Sequence, residues 1–209
     1  MSKSLVGSKI GMTQIFNIEK KKVVPVTAVK VGQMYVTQVK TTERDGYSAV
    51  QLGLPKARYT NQEPTQDWFL QKRHFFSFVK EVNLSDESSK QAFEIGHKIS
   101  LIDFGIKEGD VLKVSGVSKG LGFQGVMRRF GFSGGPKSHG STFHRAPGSS
   151  GSLRRSGEVF KGKKFPGRLG RERVSVKCVV ERIDQDSGHV FLRGSVPGKK
   201  GFLLELFAR

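Results

Sequence analysis

Hydrophobic and polar residues alternate along much of this chain with the two-residue period of half-buried strands. The segment KVVPVTAVKV at 22–31 is dense in β-branched residues, YVTQVK at 35–40 and YSAVQLGL at 47–54 continue in the same style, and Asp45-Gly46 between the last two is a turn signal. These predict a meander of short antiparallel strands, and the first fifty residues read as β. Pro25 inside the first run predicts an edge position or a bulge, because proline has no N–H to give a neighbour. Alternation returns in HKISLI at 97–102 and, after the turn formers Glu108-Gly109, in DVLKVSGV at 110–117. In VSVKCVVERID at 174–184, Val174, Val176, Cys178 and Val180 share one face; Asp186-Ser187-Gly188 supplies a turn, and HVFLRGSV at 189–196 pairs back as a hairpin. Six or more short strands, few helices and frequent glycine turns favour a small closed β-barrel over a sandwich, since closure removes edges.

Between these strands, 56–96 is an irregular insertion packed on the barrel or sheet. Pro55 and Pro64 interrupt it, and TQDWFLQKR at 65–73 predicts a short helix capped by Thr65 or Asp67. Trp68, Phe69, Phe75, Phe76 and Phe78 make an aromatic cluster. Asp86 and Glu87 follow it, which favours core packing over stacking on nucleotides.

From 119 to 173 neither periodicity survives for more than a few residues. Phe123, Phe130, Phe132, Phe143, Phe160 and Phe165 stand singly among Gly, Arg and Lys, and the stretch holds half of the chain's 26 glycines. Such a segment cannot close a core of its own, so the chain divides into a β body, 1–118 with 174–209, and an extended arm, 119–173, that leaves and re-enters between two strands. The net charge of +18 is concentrated there: thirteen basic residues face two acids, Glu158 and Glu172. That asymmetry points to nucleic acid or an anionic membrane surface as the partner. Ordering each residue costs on the order of 1 kcal/mol. The arm has few apolar side chains to offset this, so phosphate contacts and counterion release must contribute the difference.

The basic and imidazole side chains that would meet a polyanion are Lys119, Arg128, Arg129, Lys137, His139, His144, Arg145, Arg154, Arg155, Lys161, Lys163, Lys164, Arg168, Arg171 and Arg173. Ser141, Thr142, Ser149, Ser150 and Ser152 suit contacts to phosphate oxygens, and Arg145-Ala146-Pro147-Gly148 reads as a sharp turn near the arm's midpoint, putting its tip at 147–155.

Gly120-Leu121-Gly122-Phe123-Gln124-Gly125 is a literal G-x-G-x-x-G. A dinucleotide site needs a following helix and an acid about twenty residues on. Here Gly131, Gly134, Gly135 and Pro136 break the helix within two turns and no acid precedes Glu158, so a nucleotide cofactor is excluded. His139 and His144 lack the carboxylate or thiol that would orient a catalytic imidazole or complete a metal site, which leaves phosphate, ribose or base contacts for them. Cys178, the single cysteine, has no disulfide partner, fits a reducing compartment and reads as a small buried hydrophobe. No signal-peptide run and no stretch near the roughly 20 apolar residues of a membrane span is present, so a cytoplasmic location is expected.

The runs LVGSKIGMTQIF, SGVSKGLGFQGVMRR, SHGSTFHRAPGSSG, GEVFKGKKFPGRLGRERV and GSVPGKKG stand in the order and spacing of the bacterial form of the universal large-subunit ribosomal protein family L-three, which the chain resembles over 5–204. Two local departures are Leu121, where the family usually has a basic residue, and Ser150, where it usually has isoleucine. The resemblance implies a translation-protein type β-barrel on the surface of the large subunit, with a loop threading through rRNA toward the peptidyl transferase centre. It implies direct binding of large-subunit, 23S-type rRNA near its 3′ end, a part in starting subunit assembly, and neighbours of the L-fourteen and L-nineteen families. It implies no enzymatic activity, cofactor, metal, membrane or homo-oligomer. His144, Arg145, Pro147, Gly148, Ser149, Ser150, Gly151, Ser152, Leu153, Arg154 and Arg155 match the family's loop near that centre, and 160–170 matches the basic return strand. Two further readings of a basic arm are an RNA-modifying enzyme that holds its substrate with it and a free basic RNA chaperone.

Overall fold

The computed structural model describes residues 3–17, 21–60, 62–83, 93–99, 101, 105–151 and 159–208. Among them are twelve strands: β1 (Lys3–Asn17), β2 (Lys22–Val31), β3 (Met34–Lys40), β4 (Ala49–Pro55), β5 (Phe76–Asn83), β6 (Lys98–Ile99), β7 (Val111–Val117), β8 (Gly122–Gln124), β9 (Gly167–Leu169), β10 (Arg173–Asp184), β11 (His189–Arg193) and β12 (Leu203–Ala208). The protein is mainly β, and six strands close a barrel in the order β1-β12-β7-β10-β11-β2, every neighbouring pair antiparallel. No helix among the described residues is long and apolar enough to cross a membrane.

Alternation explains the barrel's interior. In β2, Val29 and Val31 join the main buried cluster, to which β12 and β7 add Leu204, Leu206, Leu112 and Val114; Val24 and Val26, of the opposite parity, are buried as well but lie outside that cluster. Pro25 sits one position beyond Val26, the last β2 residue paired with β11, so its missing N–H removes no bond from that ladder, while its carbonyl accepts Gly194 N at 2.9 Å. In β10, Val174, Val176 and Cys178 align with β7 and Val180 with Leu192 of β11, but only Cys178 and Val180 are buried; Val174 and Val176 remain 39% and 37% exposed. The predicted face is thus inward only where the barrel covers it. Burial pushes the Cys178 thiol pKa up, which suits a small hydrophobe in the core.

The strands after β2 do not continue into the barrel as a meander. β3 and β4 belong to a second sheet, ordered β5-β4-β3-β6, so the insertion has a regular framework and begins before 56. Met34, Val36, Val50, Leu52 and Ile99 from this sheet join the barrel's buried cluster, making one continuous core. Within the strand expected at 97–102, Lys98–Ile99 is strand and pairs with β3, while 100 and 102 lie outside the described residues.

The expected helix at 65–73 is split at Gln71, whose φ of −105° and ψ of 53° lie outside the helical range, into Gln66–Leu70 and Lys72–Phe75. Thr65 holds the N-cap position in extended conformation without a side-chain cap bond. The aromatic cluster packs inward: Trp68 stacks on Phe75 with centroids 5.4 Å apart and meets Tyr35 and Phe76 edge-on. Phe78 packs against the main core.

The chain forms two compact units, Met1–Val117 with Arg173–Arg209, and Ser118–Glu172. Arg173 and Val117, the residues that flank the second unit, are paired partners in β10 and β7.

Candidate nucleic-acid interface

The second unit begins with a short closure. Ser118 N donates to Glu172 O at 2.9 Å, and Glu172 N donates to Ser118 Oγ at 3.1 Å. β8 and β9 then pair Gly122 with Leu169, Phe123 with Arg168 and Gln124 with Gly167. Outgoing and returning limbs therefore share a ladder at their base, a feature too short to have any hydrophobic period. After β8 comes the helix Val126–Phe130, closed by Gly131 in the left-handed conformation. The helix stops within two turns, as the glycine spacing after it predicts.

Two of the predicted cations act inside the unit. Arg129 reaches across to donate from Nη1 to Phe165 O at 2.7 Å, and its guanidinium lies over the Phe130 ring, which Lys164 also approaches. Lys163 Nζ donates to Ser149 O at 3.2 Å. Sequence reasoning treated both as phosphate ligands, because a carbonyl partner 36 positions away, as for Arg129, leaves no local trace. Arg173 is a third exception. It is the first residue of β10, where its guanidinium binds the Glu205 carboxylate and Ser115 Oγ.

Beyond the helix, Gly135 N donates to His144 O at 2.7 Å, and Gly135 lies so close under the Phe143 ring that a Cβ would fall 2.4 Å from it. The sharp turn falls at Phe143 to Ala146, whose N donates to Phe143 O at 2.9 Å, two residues before the expected Arg145-to-Gly148 turn. Pro147, Gly148 and Ser149 follow in exposed, irregular backbone, with Ser150 partly covered and Ser149 Oγ accepting from Gly151 N at 3.2 Å. Ser152, Leu153, Arg154 and Arg155 lie outside the described residues.

The exposed side chains, Lys163 among them, define a surface. Lys119, Arg128, Lys137, His139, His144, Arg145, Lys161, Lys163, Lys164, Arg168 and Arg171 are exposed, as are Phe123 at 76% and Phe160 at 68%. Among the described residues no basic side chain of 118–172 is in a salt bridge, and the only acid there is Glu172. Val126 is the only buried hydrophobic of this unit among the described residues.

Among the described residues of this unit, three non-glycine residues hold positive φ: His139 at 57°, His144 at 41° and Arg171 at 59°. Such backbone costs on the order of 1–3 kcal/mol per residue and persists where surroundings over-determine it. Composition could not reveal these positions, since His and Arg are not turn-specific residues. The arrangement is chemically suited to a polyanion. It presents unneutralised cations for phosphates, exposed phenyl rings for bases or sugars, and glycine-rich backbone for close approach.

Comparison with known proteins adds an independent line. Residues 72–194 match the family model described as Ribosomal protein L3. The chain is 42% identical over 204 residues to the Large ribosomal subunit protein uL3 of Thermosipho melanesiensis, covering 97% of this chain and 96% of that protein. It is 42% identical over 208 residues to the protein of the same name from Dehalococcoides mccartyi strain CBDB1, covering 98% and 97%. For that of Desulfotalea psychrophila the identity is 41% over 210 residues, covering 98% and 97%.

Proposed function

The chain belongs to the ribosomal protein L3 family, and from that premise we propose that it is a structural constituent of the large ribosomal subunit that binds 23S-type rRNA directly through 119–173. The observation that carries the reading is the set of exposed, un-ion-paired cations on an arm with a single described acid. Lys119, Arg128, Lys137, Arg145, Lys161, Arg168 and Arg171 neutralise phosphates. Arg129 and Lys163 hold the limbs of the arm in the shape that does so, and Phe123 and Phe160 wedge against bases or sugars.

The remainder of the reading follows the family. The tip at Pro147 to Gly151, with Ser152 to Arg155 beyond, approaches the peptidyl transferase centre. The β body sits at the subunit surface beside proteins of the L-fourteen and L-nineteen families, in one copy, in the cytoplasm. Binding near the 3′ end of the rRNA helps start assembly. The protein is a constituent of the particle, not an enzyme, which sets aside the RNA-modifying reading.

Sedimentation of cell extract through a gradient tests this. One copy per large subunit, retained through a moderate-salt wash, is the expected result. Recovery at the top of the gradient, or in substoichiometric amounts that wash off, would leave the free RNA chaperone as the correct description.

A further inference from the structure

One concavity of the β body has the opposite chemistry to the arm. It has a volume of about 550 Å³ and is lined by Ile15 and Phe16 near the end of β1, Val24 of β2, Val180 at the β10 bulge, and the acidic residues Glu108 and Glu181. Phe16 is 58% exposed, and its paired neighbour Val23 is 56% exposed, so the apolar wall continues onto the outside of the β1–β2 hairpin. Arg182 also lines the groove, yet neither Glu108 nor Glu181 is ion-paired among the described residues. Glu108 accepts Ile183 N at 3.0 Å, which fixes that carboxylate at the edge of the groove.

Two carboxylates without an ion-pair partner among the described residues, beside exposed apolar side chains, are unusual in a chain with 36 basic residues and 18 acidic ones. Phosphate would meet two negative charges here, which disfavours RNA although a base or sugar could cover a phenyl ring. A peptide that alternates Lys or Arg with an aliphatic residue satisfies both: its ammonium or guanidinium pairs with Glu108 and Glu181, while its apolar neighbour covers Phe16.

We propose that this groove between the β1–β2 hairpin and β10 docks an extended basic segment of another protein of the same particle. The inference rests on the ribosomal reading above. It differs from it in making one face of the protein a protein-binding site that excludes RNA.

The test uses large subunits carrying the full chain with Phe16→p-benzoylphenylalanine, a change at an exposed side chain. Irradiation should crosslink the chain to a different ribosomal protein, with Lys or Arg within a few residues of the crosslinked position. Glu108→Lys with Glu181→Lys should lower that yield about tenfold, since like charges would now face each other, while the amount of chain in the subunit stays the same. A crosslink to rRNA, to a second copy of this chain, or to no macromolecule overturns the groove assignment, as does a yield indifferent to charge reversal. Failure of the labelled and unlabelled chains alike to enter the subunit would instead overturn the ribosomal reading on which it rests.

Discussion

Replacing Gly170 by alanine should open the base of the arm while leaving the barrel intact. Gly170 has φ +80°, and a Cβ built there falls 2.0 Å from the carbonyl oxygen of Lys119, a full ångström inside the 3.0 Å that a Cβ atom tolerates. The obstacle is backbone, so it cannot rotate away as a side chain would. Relief requires the limbs to part by about 1 Å, which lengthens the adjacent bond from Leu121 N to Leu169 O, now 2.9 Å, beyond hydrogen-bonding range. Loss of that bond costs about 1 kcal/mol, and the left-handed conformation adds on the order of 1 kcal/mol or more for a residue with a Cβ. Together roughly 2–4 kcal/mol is removed from local closure, which is about 30- to 1000-fold in the opening equilibrium. Native-state hydrogen exchange reads this directly as faster exchange of the β8 and β9 amides, with β2, β7 and β12 unchanged. Gly122→Ala is the control: φ is +69°, but nothing lies within 4 Å of its Cβ, so only the conformational part should appear. Equal effects of the two substitutions, or unchanged protection at Leu121, would refute the steric argument.

Two further outcomes follow from the same contacts. Trp68→Ala removes a 3%-exposed indole stacked on Phe75, so it should cost about 3–5 kcal/mol and lower the thermal midpoint by roughly 6–20 °C, read by circular dichroism. Arg168→Ala should reduce the slope of log rRNA affinity against log salt by about one unit, whereas Arg129→Ala, which loses an internal carbonyl partner, should weaken binding with little change in slope.

What could be read from the sequence depended on how local each cause is. β2 was legible because its β-branched residues are crowded into one ten-residue run, with Val24 and Val26, and again Val29 and Val31, spaced by two. β1 was not delimited, since Gly7 and Gly11 interrupt any pattern; Gly7 is required by Val29, whose Cγ1 would stand 2.7 Å from a Cβ there. The assignment of β3 and β4 to a second sheet is a matter of partner choice, set by pairing with β5 and β6, and alternation says nothing about partners. The exposed cations of the arm were evident from composition. The intramolecular bonds of Arg129, Lys163 and Arg173 were not, because each depends on a partner distant in sequence.

The arm's internal bonds and its charge do different work. The Ser118–Glu172 closure, the β8–β9 ladder, the Arg129 bridge and the Gly135–His144 bond give the unit a shape without a core, since Val126 is its only buried hydrophobic among the described residues. Net hydrogen bonds of about 1 kcal/mol each are comparable to the strain at His139, His144 and Arg171, so they define a conformation without stabilising it strongly. On the proposed function the phosphates complete the balance. Their binding energy is then divided between ordering the arm and holding the subunit, and each contact that pre-forms the arm, Arg129 to Phe165 above all, reduces the ordering share.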